Sequence, residues 1–210
     1  MTFRQDEVTL YRIVKRTFDI TLSLFCLIVL SPLFIILSIL IKLTTRGPIF
    51  FIDKRYGKHR KIIGVIKFRT MYSDCRPIEE ILTKQEYKEY TKSFKLENDP
   101  RTTKLGKLLR KTSLDELPQL LNILVGQMSF IGPRPIVTKE YEILWEEREE
   151  IFNVKPGLTG YWAVSGRSSI KDYHQRVDLE CYYATHRNLK LDIKIFFKTF
   201  IVVITRKGAL

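Results

Sequence analysis

The chain has 210 residues, 45% apolar and 28% charged, which excludes a disordered or low-complexity polymer and fits one domain of ordinary size. Lys and Arg number 36 against 23 acidic residues, a formal charge of +13, so membrane lipid, nucleic acid or a phosphorylated substrate is the expected partner. Cys26, Cys75 and Cys181 are too few and too scattered for a disulfide scaffold or a zinc site, and fit a reducing, cytosolic location.

The first predicted element is an uncharged run of 22 residues, Ile20–Ile41. A bilayer core takes roughly 20 such residues in a helix, so this is a membrane segment. It is too long for a cleaved signal peptide and lacks a small-residue cleavage site. Ser31-Pro32 near its middle leaves arms of 11 and 9 residues, Ile20–Leu30 and Leu33–Ile41, each too short to cross alone. Proline removes a helix hydrogen bond and clashes with the preceding turn, so a bend is expected there. Arg12, Lys15 and Arg16 precede the run, and Lys42, Arg46, Lys54 and Arg55 follow it. Basic residues at both ends favour entry and exit by one face. The heavier downstream charge would equally orient a simple span, so the residues leave both open.

Downstream, Pro48–Ile52 and Ile62–Phe68 are β-branched and aromatic runs separated by the basic YGKHRK, which predicts a β-hairpin. Glu79–Glu97 reads as a solvated helix or a mobile excursion, with no chemistry assigned to it. Leu105–Leu109 and Ser113–Leu124 read as helices. Ser113 and Glu116 have capping-box spacing, and Leu114, Leu117, Leu120, Leu121 and Leu124 form an apolar stripe. Gly132-Pro133-Arg134-Pro135 breaks the chain, Thr138–Ile151 resumes as a charged helix, and Pro156-Gly157 with Gly160 marks a turn region. Leu189–Arg206 interleaves Leu, Ile and Phe with Lys190, Lys194 and Lys198. That pattern suits a helix in the membrane interface, with a plain core helix as the other reading.

Three groups carry candidate chemistry. Asp115-Glu116 places adjacent carboxylates at a helix start, close to Arg110 and Lys111. Such a pair can hold Mg²⁺, divide nucleophile and base roles, or simply cap a helix. In Gly132-Pro133-Arg134-Pro135 the flanking prolines would hold one arginine for bidentate phosphate contact. Lys67-Phe68-Arg69 ends the second predicted strand. No Walker loop, GxGxxG, HExxH or paired CxxC is present, and His59, His174 and His186 lack metal spacing.

The order of these pieces is informative. KRTFD (Lys15–Asp19), the Ser31-Pro32 bend, KFRTM (Lys67–Met71), DPRTTKLGKLLRKTSLDELPQLLNIL (Asp99–Leu124), GQMSFIGPRP (Gly126–Pro135) and KPGLTGYWAVSGR (Lys155–Arg167) resemble the bacterial sugar transferases, which are monotopic phosphoglycosyl transferases. The resemblance runs from about Tyr11 to the C-terminus. It implies transfer of a sugar 1-phosphate from a UDP-sugar to undecaprenyl phosphate with release of UMP, at the cytoplasmic face of the bacterial inner membrane, initiating capsule, exopolysaccharide or other glycoconjugate assembly. Asp115 is then the nucleophile, forming a phosphosugar–aspartate intermediate, and Glu116 the base. Mg²⁺ is the implied cofactor, with Asp115 as a metal ligand. Arg110, Arg134 and Lys67 match phosphate-binding positions, and Arg69, Arg167, Arg176 and Asp178 are candidate nucleotide or sugar contacts. The membrane helix is expected to be re-entrant.

The expected fold is α+β and mostly helical: a re-entrant helix bent at Ser31-Pro32, a small β-hairpin and interfacial amphipathic helices. Residues 1–47 would form the N-terminal and membrane segment, and 48–210 the catalytic domain acting as one functional unit with it. The resemblance is to the minimal catalytic form, without the extension that some members carry. Membrane lipids are expected partners, nucleic acid is not, and homo-oligomer formation stays open. The alternative from another class is a non-enzymatic, basic, membrane-anchored interaction protein.

Overall fold

The computed structural model describes residues 5–73, 78–83, 87, 99–137, 141, 148–166, 170 and 172–205. It is mostly helical with two small two-stranded sheets, the α+β class expected. The first helices are α1 (Gln5–Val29) and α2 (Ser31–Thr44). Among the described residues no single helix is long and apolar enough to cross a membrane, while Thr9–Val29 and Ser31–Thr44 together are, with a 61° bend between them. The break falls at Leu30, one residue before the predicted Ser31-Pro32. The Pro32 ring would clash with the carbonyl four residues earlier, so the first helix stops at Val29. Pro32 then sits in the first turn of α2, where an N–H is not needed. Leu24, Phe25 and Ile28 of α1 remain exposed, as do Ile35, Ile36 and Ile39 of α2.

The predicted hairpin is present as β1 (Phe50–Tyr56) and β2 (Ile62–Phe68), joined through a 3₁₀ turn at Lys58–Arg60. Then come α3 (Ile78–Ile81), α4 (Lys104–Thr112), a 3₁₀ turn at Leu114–Glu116, α5 (Gln119–Leu124) and β3 (Ser129–Ile131). The chain continues through α6 (Glu149–Phe152), β4 (Gly157–Thr159), α7 (Tyr161–Ser165), α8 (Tyr173–His186) and α9 (Leu189–Thr205). Most of the predicted Glu79–Glu97 and Thr138–Ile151 helices lies outside the described residues.

The described chain forms two compact units: Met1–Leu30, Ile52–Ile66 and Pro118–Ala209 make the first, Ser31–Phe51 and Lys67–Leu117 the second. In the first, Ile63, Val65, Leu120, Ile123, Met128, Ile131, Tyr183 and Ile195 form a core against which one face of α1 packs through Leu22, Cys26 and Leu27. KRTFD fastens α1 to this core. Arg16 donates to the carbonyls of Ile123 and Leu124, both at 2.7 Å, closing the C-terminal end of α5. Lys15 pairs with buried Asp192 at 2.7 Å, and Asp192 also accepts the Tyr183 hydroxyl at 2.7 Å. Asp19 accepts from the Ser129 hydroxyl and the Phe130 N–H, both at 3.0 Å.

One predicted turn proves to be a strand. β3 and β4 pair in parallel, Ser129 opposite Gly157 and Ile131 opposite Thr159. The pairing brings backbones too close for side chains: a Cβ on Gly157 would lie 2.1 Å from the Gly132 nitrogen, and one on Gly132 would lie 2.4 Å from the Lys155 oxygen. Helix α9 has a buried side and an exposed apolar side. Ile195 and Asp192 are buried, while Ile193, Phe197, Phe200 and Ile201 stay exposed.

The second unit is built on Leu37 and Ile41 of α2, Phe68 of β2 and Leu109 of α4, with Leu105, Leu114 and Leu117 against them. Phe50 stacks on Phe68 at 5.4 Å. Burying each such side chain stabilises the unit by about 1.5–3 kcal/mol.

Candidate active site

In the second unit, chain geometry gathers four of the predicted residues. The segment after β2 runs beside Arg101–Thr103: the Met71–Thr102 bridge is antiparallel, and Thr103 N–H donates to Thr70 O at 3.0 Å. Asp99 shapes the approach by accepting the Arg101 backbone N–H at 2.9 Å and its guanidinium at 2.6 Å. Thr103 caps α4, its hydroxyl accepting from Gly106 N–H at 2.8 Å. Arg110, two turns on, donates from Nε to Thr70 Oγ1 at 2.9 Å and from Nη1 to Thr102 Oγ1 at 3.3 Å. Two hydroxyls from neighbouring segments therefore fix one guanidinium.

Gly106 makes this approach feasible. A Cβ there would lie 2.0 Å from the Thr70 carbonyl oxygen and 2.8 Å from its carbon. We predict that Gly106→Ala pushes α4 off the Thr70 backbone, lowers stability by about 1–3 kcal/mol and reduces turnover at least ~10-fold. A variant with unchanged melting midpoint and turnover would refute this packing argument.

Ser113 ends α4 in the left-handed region, at φ 57° and ψ 18°, its N–H bonded to the Arg110 and Leu109 carbonyls. This overturns the predicted capping box: Ser113 makes no side-chain cap bond, and instead of one helix over 113–124 there is a 3₁₀ turn followed by α5. Left-handed geometry disfavours a residue with a Cβ by roughly 1–2 kcal/mol and is held by surrounding structure. Here Leu109 before it and Leu114 and Leu117 after it all enter the same apolar cluster.

The turn carries Asp115 and Glu116. Glu116 Oε1 lies 3.6 Å from Lys67 Nζ. Asp115 is held above the usual carboxylate range, first by burial and then by the Glu116 charge, against the opposing pull of Lys67 and Arg110. Two half-buried carboxylates beside two bases can attack phosphorus, take a proton and receive phosphate oxygens.

Among the described residues no group of three or more His, Cys, Asp and Glu gathers to cage a metal. A pair of carboxylates that repel one another is nonetheless a donor set suited to Mg²⁺, which is commonly held by one or two carboxylates with substrate phosphates completing its shell.

Arg69 is buried and bonds to the chain itself: its guanidinium donates to the carbonyls of Arg46 and Thr45 and to the Ser73 hydroxyl. These bonds tie the end of α2 to the exit of β2.

Arg134 and Arg176 belong to the first unit, where a grouping that sequence reasoning missed surrounds them. Arg134 N–H donates to Glu180 Oε1 at 3.1 Å, and Glu180 is almost completely buried. The Arg134 and Arg176 guanidiniums lie 5.8 and 4.8 Å from the Trp162 ring centroid. Asp178 is on the surface, 3.5 Å from Arg148, and Arg167 lies outside the described residues. Glu180 left no local signal, being 46 positions from the backbone it holds.

Burial pushes the Glu180 carboxyl from 4.5 up to about 7, against the Arg134 N–H and the charges of Arg176 and Arg134. The folded state therefore binds this proton more tightly than the unfolded chain. Its contribution to stability is full below pH 4.5 and is lost as pH rises through 7. We predict that Glu180→Gln, which mimics the neutral form, gains on the native protein as pH rises, by up to about 3 kcal/mol. Melting curves at pH 5 and pH 8 check this; a glutamine variant that loses ground at pH 8 contradicts it.

The model for the bacterial sugar transferase family matches residues 10–206. Over 202 residues the chain is 45% identical to the undecaprenyl-phosphate galactose phosphotransferase of Salmonella typhimurium, covering 94% of this chain and 42% of that protein. The exopolysaccharide production protein ExoY of Sinorhizobium fredii is 40% identical over 200 residues, with 94% of this chain and 88% of the relative covered. The undecaprenyl-phosphate glucose phosphotransferase of Komagataeibacter xylinus is 37% identical over 195 residues, 88% of this chain and 35% of its own length. The chain thus spans less than half of the Salmonella and Komagataeibacter proteins and most of ExoY. With the matched region reaching from α1 through α9 and including the carboxylate turn, the chain belongs to the bacterial sugar transferase family.

Proposed function

We propose that this protein transfers a sugar 1-phosphate from a UDP-sugar to undecaprenyl phosphate and releases UMP, starting capsule, exopolysaccharide or related glycan assembly. The observation that carries the reading is the Asp115-Glu116 turn flanked by Lys67 and Arg110. An Asp115 oxygen attacks the sugar-bearing phosphorus, the bond to UMP breaks, and UMP leaves with its electron pair. An oxygen of undecaprenyl phosphate then attacks the same phosphorus with assistance from Glu116, and the Asp115 carboxylate is regenerated. Lys67 and Arg110 receive the phosphate oxygens in both steps. Mg²⁺ held at Asp115 would neutralise charge on the diphosphate as it is cleaved.

The setting we infer is the cytoplasmic face of the bacterial inner membrane. The apolar segment enters and leaves by that face, acting as one functional unit with the catalytic part. The bent pair of helices, each with exposed apolar residues, supports this. Cysteines introduced at Ile20 and Leu43, exposed positions at the two ends of the apolar segment, are predicted to react with an impermeant reagent from the same side of sealed vesicles. Labelling from opposite sides would establish a span.

The function is tested by incubating detergent-purified protein with Mg²⁺, undecaprenyl phosphate and one UDP-sugar at a time. Relatives named for galactose and glucose make those two the first donors. UMP formed with one donor and the lipid present is the expected product; UDP in its place would make the chemistry ordinary glycosyl transfer.

A further inference from the structure

The first unit holds another basic grouping, made of residues that the proposed reaction does not use. Arg12 of α1, Lys58 and His59 of the 3₁₀ turn, and Arg187 after α8 line one pocket. Asn153 and Thr185 add neutral hydrogen-bonding groups, and among the described residues Glu150 is the single acidic one in the lining.

Two independent features show that this gathering is imposed by the fold. His59 and Arg60 are both left-handed at φ 57°, a conformation disfavoured for residues with a Cβ. The turn leaves Lys58 and His59 in the pocket wall while Arg60 pairs with Glu149 at 3.1 Å and lies 5.5 Å from the Phe152 ring centroid. The second feature is electrostatic: burial, then the Arg12 and Arg187 guanidiniums, hold the Lys58 ammonium below its ordinary range. Like charges kept together in a partly enclosed space form a receptor for an anion bearing several acceptor oxygens, which is phosphate chemistry.

The surroundings distinguish lipid phosphate from soluble phosphate. Leu10, Ile13 and Val14, within one turn of Arg12, are exposed. Arg187 stands two residues before α9, whose Leu189, Ile193 and Phe197 are exposed as well. Apolar side chains bracketing a basic pocket match a bilayer surface, where the former enter the acyl region and the latter meets headgroup phosphates. We propose that the Arg12–Lys58–Arg187 pocket binds the phosphate of an anionic membrane phospholipid and anchors the first unit to the bilayer.

The test uses the full chain in neutral detergent, melted with short-chain phosphatidylglycerol, with phosphatidylcholine of the same chain length, or with inorganic phosphate. Phosphatidylglycerol is expected to raise the midpoint by about 3–6 °C at tenfold its Kd, and the other two by much less. Arg12→Gln and Lys58→Gln are expected to keep or raise the lipid-free midpoint, because each relieves repulsion, and to lose most of the shift. Equal shifts with phosphatidylcholine or phosphate would overturn the proposal, as would a full shift in both variants. Should a variant fail to fold, native mass spectrometry of the unmodified protein decides. One phosphatidylglycerol retained per chain in the presence of excess phosphatidylcholine supports the site, and none retained refutes it.

Discussion

Asp115→Asn is expected to lower turnover by at least ~10³-fold while leaving nucleotide-sugar binding within about 10-fold of the native protein. The amide keeps the size and turn geometry of the carboxylate but is a far poorer nucleophile. Asp115 sits in a 3₁₀ turn fixed by Ser113 and by Leu114 and Leu117 in the apolar cluster, so the substitution should not disturb the fold. It also removes one of two mutually repelling carboxylates, leaving Glu116 beside Lys67. Titration calorimetry with the donor and a steady-state UMP assay separate the two effects. A variant that binds and turns over normally would exclude Asp115 as the nucleophile.

Glu116→Gln is expected to act on the other half of the proposed reaction. Asp115 remains able to attack and release UMP, whereas the polyprenyl phosphate loses the assistance of the base. Loss of a positioned base lowers turnover by about 10²–10⁴-fold. The distinguishing signature is a burst of UMP close to one equivalent per protein, followed by a slow steady phase. Breaking the 3.6 Å contact with Lys67 leaves that ammonium nearer in effect to Asp115, which favours the ionised nucleophile. A variant with neither burst nor turnover would place Glu116 in the first step instead.

The two halves of the fold were not equally legible from sequence. The hairpin was readable because its β-branched and aromatic runs are local, and the helical pair α1 and α2 because an uncharged run interrupted by one proline is a local property of the chain. The bend was readable because proline acts on its own preceding turn, although the break falls at Leu30. The Ser113–Leu124 stripe misled because it serves two clusters: Leu114 and Leu117 belong to one and Leu120 to the other, and no single helix supplies both. Likewise Pro156-Gly157 reads as a turn until β3 is present to pair with Gly157.

In the candidate site, Asp115, Glu116, Arg110 and Lys67 were legible as charged residues in recognisable motifs. Their supports were not. Gly106 against the Thr70 carbonyl and the two threonine hydroxyls on Arg110 are contacts between distant positions. Arg69 shows the converse, since a charge beside a motif can serve the backbone: its partners are Thr45, Arg46 and Ser73.

The central claim is that the phosphosugar passes through Asp115. Its most direct test is intact and peptide mass spectrometry of Glu116→Gln quenched in acid after mixing with the donor sugar and Mg²⁺, without the lipid. The account predicts a mass increase equal to one sugar phosphate, mapped to the peptide containing Asp115 and absent when Asp115→Asn is added. UMP release with an unmodified chain, or the adduct on another residue, would contradict it.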